Sequence, residues 1–542
     1  MTARSLMFQG TGSDVGKSII VAGLCRLASN RGIRVAPFKP QNMSNNAAVC
    51  DDGGEIGRAQ ALQALACRLP NSVHFNPVLL KPQTDRSAQI IVQGQPVEVQ
   101  SAAGYMRTKR RSLLPSVLQS HAILAAQYDL ILVEGAGSAS EVNLRQGDIA
   151  NMGFALATNT PVCLIADIER GGVIASLAGT YAVLPQEDRA LVQSFIINKF
   201  RGDPALFDDG LQYIRDFTGW RSCGVIPYLP LVGQLPEEDA ANLEQSRGAA
   251  VVDSVIDSVV ESIAGSIAGT FAGSAAETIA ETIAGTMAEF GIESFNESPE
   301  NRRSIKIAAP MLPRIANFDD LDPLKMEPGV EVVFVPPGQP IPLDVDAVIL
   351  LGTKSAIGDL HFLFAQGWHH DITAIARAGR HVLGICGGYQ MLGNMIHDGH
   401  GFDGTSGAAQ GLGLLDVDTA MQPEKTVMHS NGQHVVSGLS VSGYEIHVGA
   451  TEGPGAAHPF AQLQSGADGA VASGGKVCGT YLHGLFTEDA FRHYWLGQMR
   501  PGTESHPHQL QNYEAKVDSL LDELAAELER HLDVDALFAD AR

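Results

Sequence analysis

Two series of short apolar runs, each run separated from the next by a helical pattern, constrain this chain more than any single residue does. In residues 1–235 the runs include Ser5–Gln9, Arg34–Phe38, Leu130–Glu134, Pro161–Ile165 and Phe195–Asn198. A second series opens at Ser304 and continues through Val330–Val335, Ala347–Leu351, Val382–Ile385 and Gly479–His483. Strands that alternate with helices are joined by crossovers, so they pair in parallel and are covered on both faces. The expectation is an α/β protein of two doubly wound domains, over residues 1–240 and 304–505. Residues 506–542 are expected to form a C-terminal amphipathic helix. There Val517, Leu520, Leu521, Leu524, Leu528 and Leu532 recur at helical spacing, which suits a helix closing the second domain.

Residues 241–303 read as a linker or insertion. Apolar or small residues return every fourth position from 251 to 287, and Ser or Thr precedes each from Ser254 to Thr286. On a helix a four-residue step advances about 40° per repeat, so the apolar stripe spirals around the cylinder instead of forming one face. Gly265, Gly269, Gly273 and Gly285 weaken a helix further. A partner-docking helix is the alternative.

Charge and cysteine usage narrow the class. With 37 Lys and Arg against 60 Asp and Glu the net charge is −23, which repels nucleic acid and anionic membranes. The seven cysteines are scattered with no CxxC pair, as reduced thiols are, so neither a disulfide framework nor a zinc site is expected. No apolar run reaches membrane-spanning length and no charged leader opens the chain. The expected compartment is the cytoplasm.

After the first apolar run comes Gly10-Thr11-Gly12-Ser13-Asp14-Val15-Gly16-Lys17-Ser18. It resembles a P-loop but has five residues, not four, between Gly10 and Gly16. The physics of a phosphate cradle survives. Gly12 and Gly16 let backbone approach phosphate oxygens, Lys17 offsets β/γ charge, and Ser18 can ligate Mg²⁺ at the helix start. Glu134 ends an apolar strand beside the cradle and is expected as a second Mg²⁺ ligand, with Asp52 a further acidic candidate. Asn198, just past a strand, is expected to meet the nucleotide base, although a strand-end cap explains it equally.

Near the other end, Val382-Leu383-Gly384-Ile385-Cys386-Gly387-Gly388 is an apolar strand turning into a helix with a thiol at the bend. Such a turn exposes the sulfur, and the following N–H groups can hold a thiolate or an oxyanion. Thr480-Tyr481-Leu482-His483 offers a base. The expected nucleophile is Cys386, the base His483, and the oxyanion donors the N–H groups of Gly387 and of the region at Gly352. A thiol and a nucleotide site on one chain suggest acyl transfer that liberates something and ATP chemistry that uses it.

The motifs GTGSDVGKS, PFKPQNMSNN, DGGEIGRAQ, NPVLLKP, EGAGS, ADIERGGV and NKFRGD, in that order, resemble the dethiobiotin-synthetase-like ATPase domain of the cobyric acid synthase family. ICGGYQMLG, GYEIHVGAT and YLHGLF resemble that family's glutamine amidotransferase domain. The resemblance covers nearly the whole chain. It implies a P-loop NTPase-like domain followed by a class I glutaminase-like, flavodoxin-like domain. It implies an ATP- and glutamine-dependent, Mg²⁺-requiring amidoligase of cobalamin biosynthesis. Its substrates would be L-glutamine and a corrinoid polycarboxylate, adenosylcobyrinic or hydrogenobyrinic acid a,c-diamide, amidated at carboxylates b, d, e and g. Lys81 could pair with a substrate carboxylate; a surface lysine is the plainer reading. Where many class I glutaminases place a glutamate two residues after the histidine, this chain has Gly484-Leu485, so the group orienting His483 is left open. Rival readings are an a,c-diamide-forming relative and, from another class, a partitioning-type nucleotide-switch ATPase, which would leave Cys386 and His483 unexplained.

Overall fold

The computed structural model describes residues 3–84, 87–236, 304–499 and 511–542. The repeat at 251–287 lies outside the described residues, as does the start of the expected C-terminal segment at 506–510.

The first domain is built on a six-stranded parallel sheet. Its order across the sheet is Arg221–Pro227, Val192–Phe200, Val162–Asp167, Arg4–Gly10, Leu130–Ser138 and Val35–Phe38. Alternate side chains leave the sheet on opposite faces. Leu6, Phe8, Leu130, Leu132, Cys163 and Ile165 enter one core, while Met7, Ile131, Val133, Val162 and Leu164 enter the other. Both faces are covered, which is why these strands read as unbroken apolar runs.

The second domain repeats the plan. Val330–Val335, Ile305–Pro310, Ala347–Leu350, His381–Ile385 and Val477–Thr480 run parallel, with Ala470–Val471 antiparallel at one edge. A second sheet, mostly antiparallel, carries the long strands Asp418–His434 and Ser440–Glu452 toward the first domain.

The C-terminal helix forms over Tyr513–His531, but its host differs from the sequence expectation. Val517, Leu520, Leu521, Leu524 and Leu528 join the core of the first domain with Leu6, Phe8, Val21 and Leu24. An amphipathic stripe states that one face is buried and is silent about what buries it. Here the helix lies on the helix Lys17–Asn30 that follows the cradle. Gly23 permits this close approach, since a Cβ there would stand 2.5 Å from Leu528 Cδ1. Arg26, fully buried, pairs with Asp518 at 2.5 Å across the same contact. The chain thus crosses from the first domain to the second and back again. Among the described residues no helix is long and apolar enough to cross a membrane.

Candidate active sites

Two clefts hold the residues that could do chemistry. The larger, about 1020 Å³, runs along the carboxyl ends of the first sheet. This is where open parallel sheets bind ligands. Gly16 sits at φ +93°, and a Cβ on it would lie 2.3 Å from Asn198 Nδ2, so only glycine fits the turn. The helix Lys17–Asn30 starts at the next residue, so its amino-terminal end, with the positive end of its dipole, lines the cleft. Lys17 Nζ donates to Gly12 O at 3.1 Å and to Gly137 O at 2.9 Å, which poises an ammonium over the cradle.

Glu134 is fully buried where its strand ends. Ser18 Oγ and Lys39 Nζ each donate to its Oε1 at 2.8 Å, and Gln63 Nε2 to its Oε2 at 2.6 Å. Ser18 and Glu134 therefore meet as expected from sequence. Lys39 and Gln63 are additions, the first just past the strand Val35–Phe38 and the second in the helix Arg58–Ala66, and neither adjoins the cradle in sequence. Two adjacent hard oxygens fit Mg²⁺, which takes one or two protein oxygens and leaves other positions to phosphate and water. Among the described residues no group of three or more His, Cys, Asp or Glu could hold a metal.

Asp52 does not join this group. It is exposed, and its carboxylate accepts from Ser72 Oγ at 2.7 Å and from Val73 N–H, so it caps the short turn Val73–Phe75. The glycines beside it mark a turn, not a ligand loop. Asn198 does line the cleft, and its Nδ2 donates to Val15 O at 2.9 Å, bracing the cradle from the next strand but one.

The second site is a small cavity of about 40 Å³ between the domains, lined by Cys386, His483, Lys354, Lys425, Asp403, Asn45 and Lys81 among others. Cys386 stands at the strand–helix bend with φ +53° and ψ −110°, a conformation costly for a residue with a Cβ and typical of a held functional turn. The glycines around it are required sterically: a Cβ on Gly388 would lie 1.9 Å from Leu350 O. Cys386 N–H is committed to Thr480 O at 2.8 Å, and its Sγ rests 3.5 Å from Ile446 O.

His483 is buried and its Nδ1 lies 2.8 Å from Asp320 Oδ2, while Asp320 Oδ1 accepts from Gly484 N–H at 2.6 Å. Burial alone would push His483 down. The charge and hydrogen bond of Asp320, with a further contribution from Cys386, override it and push His483 up to about 10. Asp320 is thus the orienter that the sequence left open. It arrives 163 residues before the histidine, in the turn Phe318–Leu321, where an acidic pair gives no local signal of its partner.

Gly387 opens its helix, so its N–H has no partner within that helix. Gly352 does not supply the second donor. Lys354 N–H bonds Arg314 O at 2.9 Å, and the antiparallel register pairs Ala316 with Gly352 and Ile315 with Thr353. Hydrogen bonding alternates along such a ladder, so Gly352 N–H turns to Ala316 and Thr353 N–H turns away from it. A Cβ on Gly387 would lie 3.0 Å from Thr353 N, which places that N–H beside the helix start. The facing donors are therefore at Gly387 and Thr353.

Lys81 is neither on the surface nor in the nucleotide cleft. It is 1% exposed and ion-paired with the fully buried Glu55, which also holds Lys425 of the second domain. Other contacts tie the domains at this level. Asn317 N–H donates to Asn46 Oδ1 at 2.7 Å, and Arg58 pairs with Asp319 at 3.2 Å, next to the orienter. Tyr444 stacks on His483 at 5.2 Å and exchanges backbone hydrogen bonds with it, and its ring packs with Ala47 and Leu79 of the first domain. The GYEIHV motif therefore both seats the base and forms the domain contact.

Comparison with known proteins covers both domains. Residues 6–243 match the CobQ/CobB/MinD/ParA nucleotide binding domain, and residues 306–491 match the CobB/CobQ-like glutamine amidotransferase domain. The cobyric acid synthase of Hyphomonas neptunium is 53% identical over 539 residues, covering 99% of this chain and 98% of the relative. The chain belongs to the cobyric acid synthase family. The Brucella suis (strain ATCC 23445 / NCTC 10510) cobyric acid synthase is 52% identical over 538 residues, with 99% of each chain covered. Members of the family are glutamine-dependent amidating ligases, and this chain carries both halves of such an enzyme.

Proposed function

We propose that the chain forms cobyric acid by amidating the b, d, e and g carboxylates of adenosylcobyrinic (or hydrogenobyrinic) acid a,c-diamide, each through an acyl phosphate. The observation that carries this reading is the presence on one chain of a thiol–imidazole–carboxylate array and a phosphate cradle, held against each other by a buried domain contact.

In the second domain Cys386 attacks the glutamine amide carbon. His483 takes the thiol proton and passes it to the departing nitrogen, while Asp320 holds the ring and its positive charge. The N–H groups of Gly387 and Thr353 face the oxyanion. Water then releases glutamate from the thioester.

In the first domain a corrinoid carboxylate oxygen attacks the γ-phosphorus of ATP in line. Lys17 and the N–H groups at its helix start offset charge on the phosphates, and Asn198 holds the loop in shape. Ser18 and Glu134 would hold Mg²⁺, which supplies electrostatic stabilisation of the phosphates when bound. Lys39 pairs with Glu134 and aims its carboxylate. Ammonia then displaces phosphate from the acyl carbon. Because water would protonate ammonia and hydrolyse the acyl phosphate, the two clefts need a path sheltered from solvent.

The test is incubation with ATP, Mg²⁺, glutamine and the a,c-diamide, followed by mass spectrometry. Stepwise replacement of OH by NH₂ at four positions is expected. An unchanged corrinoid would refute the assignment.

A further inference from the structure

Two polar side chains line the thiol cavity with hydrogen-bonding capacity that the reactions above leave unused. One is Lys354, from the second domain. Its backbone N–H is bound to Arg314 O at 2.9 Å, and it directly follows Thr353, whose N–H faces the oxyanion. The side chain is half-buried, and no ion-pair partner holds its ammonium among the described residues; Glu55, Asp403 and Cys386 act on it as charges only. Burial and the neighbouring Lys425 push it down to about 8, so it stays mostly protonated at neutral pH. The cavity's other lysines are not open in this way, since Lys81 and Lys425 are both paired with Glu55.

The other is Asn45, from the first domain. Its neighbours are pinned on both sides. Ser44 N–H bonds Leu80 O at 3.1 Å, Asn46 N–H bonds Ser44 Oγ at 3.1 Å, and Asn46 Oδ1 accepts from Asn317 N–H of the second domain at 2.7 Å. Asn45 lines the thiol cavity, and its Oδ1 is buried with no donor among the described residues. Buried acceptors are nearly always paired, so one left open at the wall of a reactive cavity calls for a ligand that donates. Asp403, the cavity's acid, already accepts from the Ala356 N–H.

We propose that Lys354 and Asn45 hold the zwitterionic head of glutamine, Lys354 taking the α-carboxylate and Asn45 Oδ1 the α-ammonium. The inference rests on the glutaminase reading above and names the residues that select its substrate. Free glutamine carries both charges on one carbon, whereas the same side chain within a peptide carries neither. A site offering one cation and one open acceptor therefore separates the two, because a ligand lacking either charge leaves a buried group unpaired. Neither residue is placed to break a bond, so both act in binding. Because Asn45 belongs to the first domain, the glutamine site is complete only while the two domains are docked.

The experiment measures ammonia release from three amides: glutamine, γ-aminobutyramide, which lacks the α-carboxylate, and glutaramate, which lacks the α-amine. Where an analogue turns over too slowly to follow, its binding is read as competition against glutamine. The unaltered protein should use each analogue at least about tenfold less well in kcat/KM. Lys354→Met should lose about tenfold or more with glutamine, mainly in KM, and stay within about threefold with γ-aminobutyramide. Asn45→Ala should lose a similar factor with glutamine and stay within about threefold with glutaramate. A merely structural role would lower all three amides together. Lys354→Gln and Asn45→Ser serve where a first variant folds poorly, and loss of all three amides in both variants of a residue overturns the proposal. An unaltered preference for glutamine over the matching analogue in a folded variant overturns it as well. An unaltered protein that releases no ammonia from glutamine would instead refute the glutaminase reading.

Discussion

Replacing Asp320 by Asn isolates the group that makes His483 a strong base. The histidine rises from 6.5 to about 10 against the opposing effect of burial, a difference of 3.5. At 1.36 kcal/mol per unit this is roughly 5 kcal/mol of preference for the imidazolium, shared between Asp320 and Cys386. Asparagine keeps the shape and removes the charge, so burial prevails and the imidazolium is no longer favoured. Glutamate release should fall on the order of 10²–10⁴-fold, the range seen when a base loses its carboxylate. Ammonia-driven amidation should stay within about threefold, because the synthetase cleft is untouched. Stability carries a second signature. A group whose folded value is raised contributes its full stability below its unfolded value and loses it as pH rises through the folded one. The cost of Asp320→Asn in chemical denaturation should therefore be largest near pH 6 and shrink toward pH 10. Glutamate release within about threefold of the unaltered protein, or a stability cost that does not decline with pH, would refute the reasoning.

Other outcomes follow from the same geometry. Glu134→Gln should lower ATP-dependent amidation with either nitrogen source by roughly 10²-fold or more while sparing glutamate release, because it removes the carboxylate that meets Ser18 and Lys39 at the cradle. Gly23→Ala puts a methyl 2.5 Å from Leu528 Cδ1 and should destabilise by about 1–3 kcal/mol. Hydrogen exchange should locate that loss in the helix Tyr513–His531.

What could be read from sequence was local in sequence. The cradle and the thiol turn are each built within a few residues, and steric demands at Gly16 and Gly388 write them into composition. The alternating runs likewise announced two parallel sheets, because strands covered on both faces must be apolar throughout. What could not be read depends on partners far along the chain. Asp320, Lys39 and Gln63 are ordinary polar residues until the fold brings them to His483 and Glu134. Thr353 replaces Gly352 as the facing donor because ladder register decides which N–H points outward. Asp52 resembled a ligand by composition and proved to be a turn cap. Lys81 proved to be buried and ion-paired with Glu55, which also takes Lys425 from the second domain. The tail showed its apolar stripe and hid the core that takes it.

The most direct test of the central claim, that Cys386 supplies ammonia to chemistry done in the other domain, is Cys386→Ser assayed with each nitrogen source in parallel. Glutamine-driven amidation should be lost, and amidation with ammonium chloride should continue at close to the unaltered rate. Loss of both, with the fold intact by circular dichroism, would contradict the account.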